Sequence, residues 1–415
     1  MKQLKKGLLL LLALAVFTGF AGCAFMPMDK LAQNIVQDIL EPTNDPIKEA
    51  YKSDPANFVK FSRSTEPYEQ YISIQEMLEY KTQYPDCNGT WFRDQLSGED
   101  LIIYNSYLYA LENQFIHITL YVEDSDKDFS YIRELISLDS PFLEQNYNHY
   151  EFVWKNPINY IGESISVSME HFTDSRWKMK MEALDKCRQI VQNIPPEYET
   201  QQEKMEYLYN YVCDNVEYVA YENMADESYF YDAVCKGKTN CDGYSNMLSL
   251  LFHLIGVECC EVIANGEEGE AGHTWVAAKL NGVFYNFDAT FEDSSELQTS
   301  DLIHFGFSDD LVSMNTLEHE EMRPKCTDTS RDFLYADITT NDLTDWSELK
   351  RIATLADEKL EAGIDTFLIG VKSPVDSALF EQFTDWFFTY FRRGKAITIS
   401  HWAMRNGSLI EIALS

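Results

Sequence analysis

The sequence predicts an α+β protein in which a central domain is flanked by two small α/β domains. Three observations lead there. Both ends of the 415-residue chain spell the same order of elements, helix–strand–helix–strand–strand. The middle third holds two strands of alternating character joined by Asn281-Gly282, a strong two-residue hairpin signal. Just before them, an apolar helix follows a glycine-containing turn and begins at Cys241. A 14% aromatic content gives such domains enough bulk for real cores, which excludes a disordered or low-complexity chain.

Residues 1–22 read as a signal segment. Lys2, Lys5 and Lys6 precede the apolar run Leu8 to Phe17, which is too short for an ordinary membrane span. The run ends in Phe20-Ala21-Gly22-Cys23, which resembles a bacterial lipobox. That resemblance implies cleavage before Cys23, a diacylglyceryl thioether on its sulfur, and an extracytoplasmic protein anchored to the cell membrane. The charge agrees with a covalent hold. With 33 basic against 68 acidic residues the net charge is −35, so anionic headgroups would repel the chain, and nucleic acid is excluded as a partner. Residues 23–95 read as a tether and N-terminal extension, the tether reaching to about residue 60.

The first small α/β domain is expected over 96–175. It contains a helix from Leu101 to Asn113, a strand from Phe115 to Val122 and a helix from Phe129 to Leu138. Strands near Tyr150 to Trp154 and Ile165 to Met169 complete it. The second, over 330–415, repeats the order. Asp345 to Ala362 is helical, Asp365 to Val371 extended and Ala378 to Phe391 helical; Ala396 to His401 and Ser408 to Leu414 are strands.

The central domain covers 178–325. A helical stripe from Glu203 to Val216 (Met205, Leu208, Tyr209, Val212) reads as core packing. Cys241 starts the next helix, which stops at Gly256, with Asn240 available as the N-cap. Unpaired N–H groups at a helix start favour an anion there, so the Cys241 thiol is expected to ionise readily.

In the hairpin, the Asn281-Gly282 turn pairs Leu280 with Val283. Continuing outward, Trp275 falls opposite Asp288 and His273 opposite Thr290. His273 and Asp288 then become diagonal neighbours on one face, within reach of a hydrogen bond. The other face (Val276, Ala278, Leu280, Val283, Tyr285, Phe287) is apolar and should pack on the core, leaving the His–Asp face for a site. Tyr244 and Trp275 are expected to line the substrate cleft. A thiol that attacks an acyl carbon, an imidazole that carries the proton and a carboxylate that fixes the imidazole tautomer make a complete nucleophilic set. The Cys241 N–H is a candidate oxyanion donor. The chemistry calls for no cofactor and no metal.

These residues resemble the transglutaminase-like superfamily, whose fold is related to the papain-like proteases. The matching motifs are Cys241-Asp-Gly243-Tyr244-Ser245, His273-Thr-Trp275 and Phe287-Asp288-Ala-Thr290, with Phe305-Gly-Phe-Ser-Asp309 following as in bacterial members. Asn240, Ala289 and Phe291 depart from the usual apolar residue, Pro and Trp, and none of these removes a catalytic atom. The resemblance implies a papain-like core with Cys241, His273 and Asp288 as catalytic triad. It also implies a peptidase, amidase or transglutaminase acting on peptide or protein substrates. The alternative from another class is a non-catalytic scaffold lipoprotein that uses the same cleft for recognition.

Other signals read as structural. Asp124-x-Asp126-x-Asp128 lacks the glycine and the closing glutamate of a calcium loop, and reads as an acidic helix start. Glu267, Glu268 and Glu270 read as solvating the loop before His273; the alternative is that they raise the His273 pKa or select a cationic substrate. There is no C-x-x-C pair for zinc, and a bond between adjacent Cys259 and Cys260 would be strained.

Overall fold

The computed structural model describes residues 45–63, 68–115, 117–122, 129–143, 150–155, 163–169, 174–220, 229–266, 272–294, 302–312, 316–391 and 397–414. The signal segment and Cys23, the Asp124–Asp128 run and the glutamates of the 267–270 loop lie outside them. The chain divides into two units, Met1–Asp54 and Pro55–Ser415. Within the first, Pro46–Ser53 is a helix with proline in its opening turn and Asp45 as cap, accepting from the Ile47 N–H at 3.0 Å.

In the second unit, β1 (Phe58–Ser62) and β2 (Glu69–Ser73) form an antiparallel hairpin, and β1 also pairs with β3 (His117–Val122). With β4 (Tyr150–Lys155) and β5 (Glu163–Met169) they make a sheet of order β2-β1-β3-β5-β4, antiparallel throughout. The tether reading is thereby corrected for residues 58–60, which belong to β1. Val59 and Phe61 are buried on one face of β1, and Ser73 starts a short helix with a reciprocal capping box to Glu76. Helix Gly98–Asn113 begins three residues earlier than expected, where Glu99 and Asp100 suit the positive end of the dipole.

At the other end, β13 (Ile338–Thr340), β14 (Thr366–Val371), β15 (Ile397–Ala403) and β16 (Ser408–Leu414) form a sheet of order β13-β14-β16-β15. The three strands of each repeated run take one arrangement, with the last strand between the first two and antiparallel to both. The neighbours differ: β1 lies antiparallel to β3, whereas β13 runs parallel to β14. The C-terminal sheet has its own core, centred on Ile352, Phe367, Phe383 and Ile412. The N-terminal sheet shares one continuous core with the middle of the chain.

Between them, helices Asp174–Gln192, Gln201–Asn215 and Cys241–Leu254 accompany a five-stranded antiparallel sheet of order β11-β10-β9-β8-β12. The strands are β8 (Cys259–Asn265), β9 (His273–Leu280), β10 (Val283–Phe287), β11 (Phe305–Phe307) and β12 (Thr316–Leu317). Asn281 and Gly282 take φ of 52° and 87°, as a type I′ turn demands. The turn sets the expected register from Leu280–Val283 to Val276–Phe287. There it stops. The chain shifts register at Asn286/Phe287 and enters helix Ala289–Ser294, so Thr290 is helical and does not face His273.

The expectation of an open His–Asp face is also corrected. The Cys241 helix covers the Val276 face, with Phe252 edge-on to Phe287 at 5.4 Å and Asn246 bonded to Glu261 at 2.8 Å. The other face is covered too, with Trp91 on Phe284 at 4.9 Å. Both faces are buried because this sheet sits between the Cys241 helix and the N-terminal part of the same unit.

Candidate active site

The helix that carries Cys241 starts where three local features agree. Asn240 is extended and accepts the Gly243 N–H through its side chain at 3.4 Å. Asp242 lies in the first turn, and its carboxylate accepts from Thr274 Oγ at 2.8 Å, which ties the helix start to the start of β9. Ser245 donates to the Thr274 carbonyl at 2.9 Å, a second tie. Gly243 is required by space: a Cβ there would overlap the Thr239 side chain. Cys241 is half-buried at this junction, and its N–H belongs to the helix turn that has no intrahelical acceptor.

His273 opens β9 and is nearly buried. Its Nε2 lies 2.6 Å from Asp288 Oδ2, and Cys241 lies near enough to the ring to help raise its pKa. Asp288 sits in the link between β10 and helix Ala289–Ser294. Its other oxygen accepts the Phe291 N–H at 3.0 Å, its N–H donates to the His304 carbonyl at 3.0 Å, and its carbonyl accepts Tyr209 OH at 2.9 Å. The break in register therefore builds the site. An Asp at the cap of a new helix is held by main-chain donors that a continuing strand would not offer.

The electrostatics follow from this placement. Burial alone disfavours the His273 imidazolium, but Asp288 and Cys241 outweigh it and raise the ring's pKa to about 10. Burial likewise works against the Asp288 carboxylate, and His273, His304 and the Phe291 N–H overcome it, holding the carboxyl below its usual range.

A second Cys–His pair gives the contrast. His253 Nε2 lies 3.5 Å from Cys259, both buried, and without a carboxylate partner burial lowers the His253 pKa to about 4 while pushing the Cys259 thiol up. Burial also raises the thiols of Cys87, Cys187, Cys213, Cys235, Cys260 and Cys326.

A histidine-selective NMR titration should separate the two pairs: His253 neutral down to about pH 4 and His273 charged up to about pH 10. Because folding raises the His273 pKa, its pairing stabilises fully below its unfolded pKa of ~6.5 and is lost as the pH climbs through the folded value. A His273 resonance titrating near its ordinary value would contradict the pairing.

Two expected cleft residues are corrected. Tyr244 is buried, its hydroxyl donating to the Val216 carbonyl at 2.7 Å and bonded to Asp293. Trp275 is buried as well; its Nε1–H donates to Asn286 at 2.9 Å, and its ring stacks near His273 at 5.7 Å. Both brace the site from within. Asp309 continues that brace, joining Asn286 at 3.1 Å to Arg323 at 3.0 Å.

Phe291 and Tyr209 were not read as site residues. The spacing from Asp288 to the Phe291 N–H is that of a helix cap, a signal present in the sequence. Tyr209 carried only the general hint that a buried phenol seeks a partner. Among the described residues no group of His, Cys, Asp and Glu could hold a metal ion.

Comparison with known proteins bears on this region. Residues 186–289 match the transglutaminase-like superfamily. The kyphoscoliosis peptidase of Homo sapiens is 25% identical over 143 residues, 31% of this chain and 22% of that protein, so the chain spans about a fifth of that relative. Among solved structures, a TGase is 15% identical with a TM-score of 0.25, over 44% of this chain and 52% of its own. A candidate cysteine protease from Cytophaga hutchinsonii is 14% identical with a TM-score of 0.21, over 35% of this chain and 66% of its own. Cys241, His273 and Asp288 all lie within the stretch that matches the transglutaminase-like superfamily.

Proposed function

We propose that this chain is a cysteine-dependent acyl-transfer enzyme that cleaves amide bonds in peptide or protein substrates through a thioester on Cys241. The observation that carries the reading is the 2.6 Å bond from His273 to Asp288, with Cys241 at a helix start acting on the same ring. The Cys241 thiol gives its proton to His273, and its sulfur attacks the acyl carbon while the N–H at the helix start faces the developing oxyanion. The C–N bond then breaks, and His273 gives its proton to the leaving amine. Water attacks the thioester, His273 takes a proton from it, and the acid leaves as the thiol is restored. Asp288 keeps the imidazole oriented and supports its charge through both steps.

The test is to trap the acyl group. Peptide-amide substrates are incubated with the protein in the presence of hydroxylamine. The reading expects hydroxamate from wild type and none from Cys241→Ala; equal yields from both would overturn it. The ratio of acid to amine adduct without hydroxylamine separates a peptidase from a transglutaminase.

The same reading places the enzyme outside the cytoplasm, held to the membrane by a lipid on Cys23. Mass spectrometry of detergent-extracted protein should find a diacylglyceryl Cys23 at the mature N-terminus. A soluble form starting elsewhere would remove the anchor.

A further inference from the structure

We propose that Phe291 is a positioning residue for His273: its ring holds the imidazole plane against Asp288 and favours the charged form of that plane. The inference rests on the acyl-transfer reading above and assigns a part to a residue outside its catalytic set. The Phe291 ring lies parallel to the imidazole, 4.1 Å between centroids and 13° between planes. Its own main-chain N–H donates to Asp288 Oδ1 at 3.0 Å. One residue therefore fixes the carboxylate through its backbone and covers the imidazole through its side chain.

The physical argument concerns the ring face. Asp288 compensates the imidazolium at Nε2, in the plane of the ring. Its faces sit in an almost dry environment, where an uncovered cation is costly. An aromatic face carries negative quadrupole density and attracts a cation stacked on it. The Trp275 ring, inclined 24° to the imidazole, lies further away at 5.7 Å. The other titratable groups near this pair are His304, whose ring lies 5.9 Å from Phe291, and Glu292, which is 3.4 Å from His304 Nδ1. Phe291 itself is half-buried.

The geometry also supplies a clean variant. Phe291→Leu keeps the main-chain bond to Asp288 and removes only the ring. His273 should then titrate about half a unit to one unit lower than in wild type, read by isotope-edited NMR. The pH at which the iodoacetamide labelling rate of Cys241 responds to loss of the His273 proton should move down by the same amount. Phe291→Trp, which restores a larger aromatic face, should return both values towards wild type. A Phe291→Leu protein with wild-type titration and labelling would overturn the proposal. So would a loss that Phe291→Trp does not restore. If wild type itself shows no preference for Cys241 in labelling, the acyl-transfer reading fails, and the His273 titration still decides the part assigned to Phe291.

Discussion

Cys241→Ala is expected to abolish amide cleavage, a loss on the order of 10⁴-fold or more, while the protein stays folded. The side chain is half-buried, so alanine leaves little void. His273→Ala should cost about 10²–10⁴-fold, the usual span for a positioned acid–base group. Asp288→Asn should cost less than Cys241→Ala, because it acts through the imidazole and leaves the nucleophile in place. Asparagine can still accept the Phe291 N–H, so the change isolates the charge. His273 should then titrate lower, since Asp288 is a main support of its raised pKa. Initial rates on a peptide amide, with circular dichroism and thermal unfolding for each variant, check the series. Equal rates in all three variants and wild type would contradict it.

Gly243→Ala should have the second largest effect, although it touches no reacting atom. The new methyl would overlap the Thr239 side chain, whose hydroxyl is bonded to the Tyr229 carbonyl at 3.4 Å. Something must move, and the start of the Cys241 helix is the nearest element able to do so. Overpacking of this kind costs about 1–3 kcal/mol. A displacement of about an ångström at the nucleophile costs roughly 10²-fold in rate. The double variant Gly243→Ala/Thr239→Ser removes one methyl of the obstruction and should recover part of both losses. Urea unfolding and initial rates on the same two proteins measure this. A stable Gly243→Ala protein at full rate would show that the close approach does not fix Cys241.

The parts of this site written in local chemistry were legible in the sequence. Asn240, Cys241 and the apolar run behind them announce a capped helix, and Asn281-Gly282 fixes the hairpin register to Phe287 because that turn needs positive φ at both positions. What was hidden depends on tertiary packing. Extrapolating the register past Phe287 misplaced Thr290, since nothing in a two-residue period signals that a strand will turn into a helix. Tyr244 and Trp275 sit in motif positions that suggest a cleft, yet Val216, Asp293 and Asn286 draw them inward. The strands Phe58–Ser62 and Glu69–Ser73 are five residues each with only one apolar face, too little pattern to distinguish from a tether.

The most direct test of the central claim is to map which thiol reacts. The folded protein is treated with a limiting amount of a peptide-based thiol-directed acyl probe at neutral pH, digested and analysed by mass spectrometry. Cys213 and Cys235 are also partly accessible, but burial raises both thiols, and the carboxylates around Cys213, Asp288 among them, raise that thiol further. The account predicts modification concentrated at Cys241, lost in His273→Ala at neutral pH and unaffected by Cys213→Ser or Cys235→Ser. Labelling spread over the accessible thiols, or a Cys241 signal indifferent to His273, would contradict it.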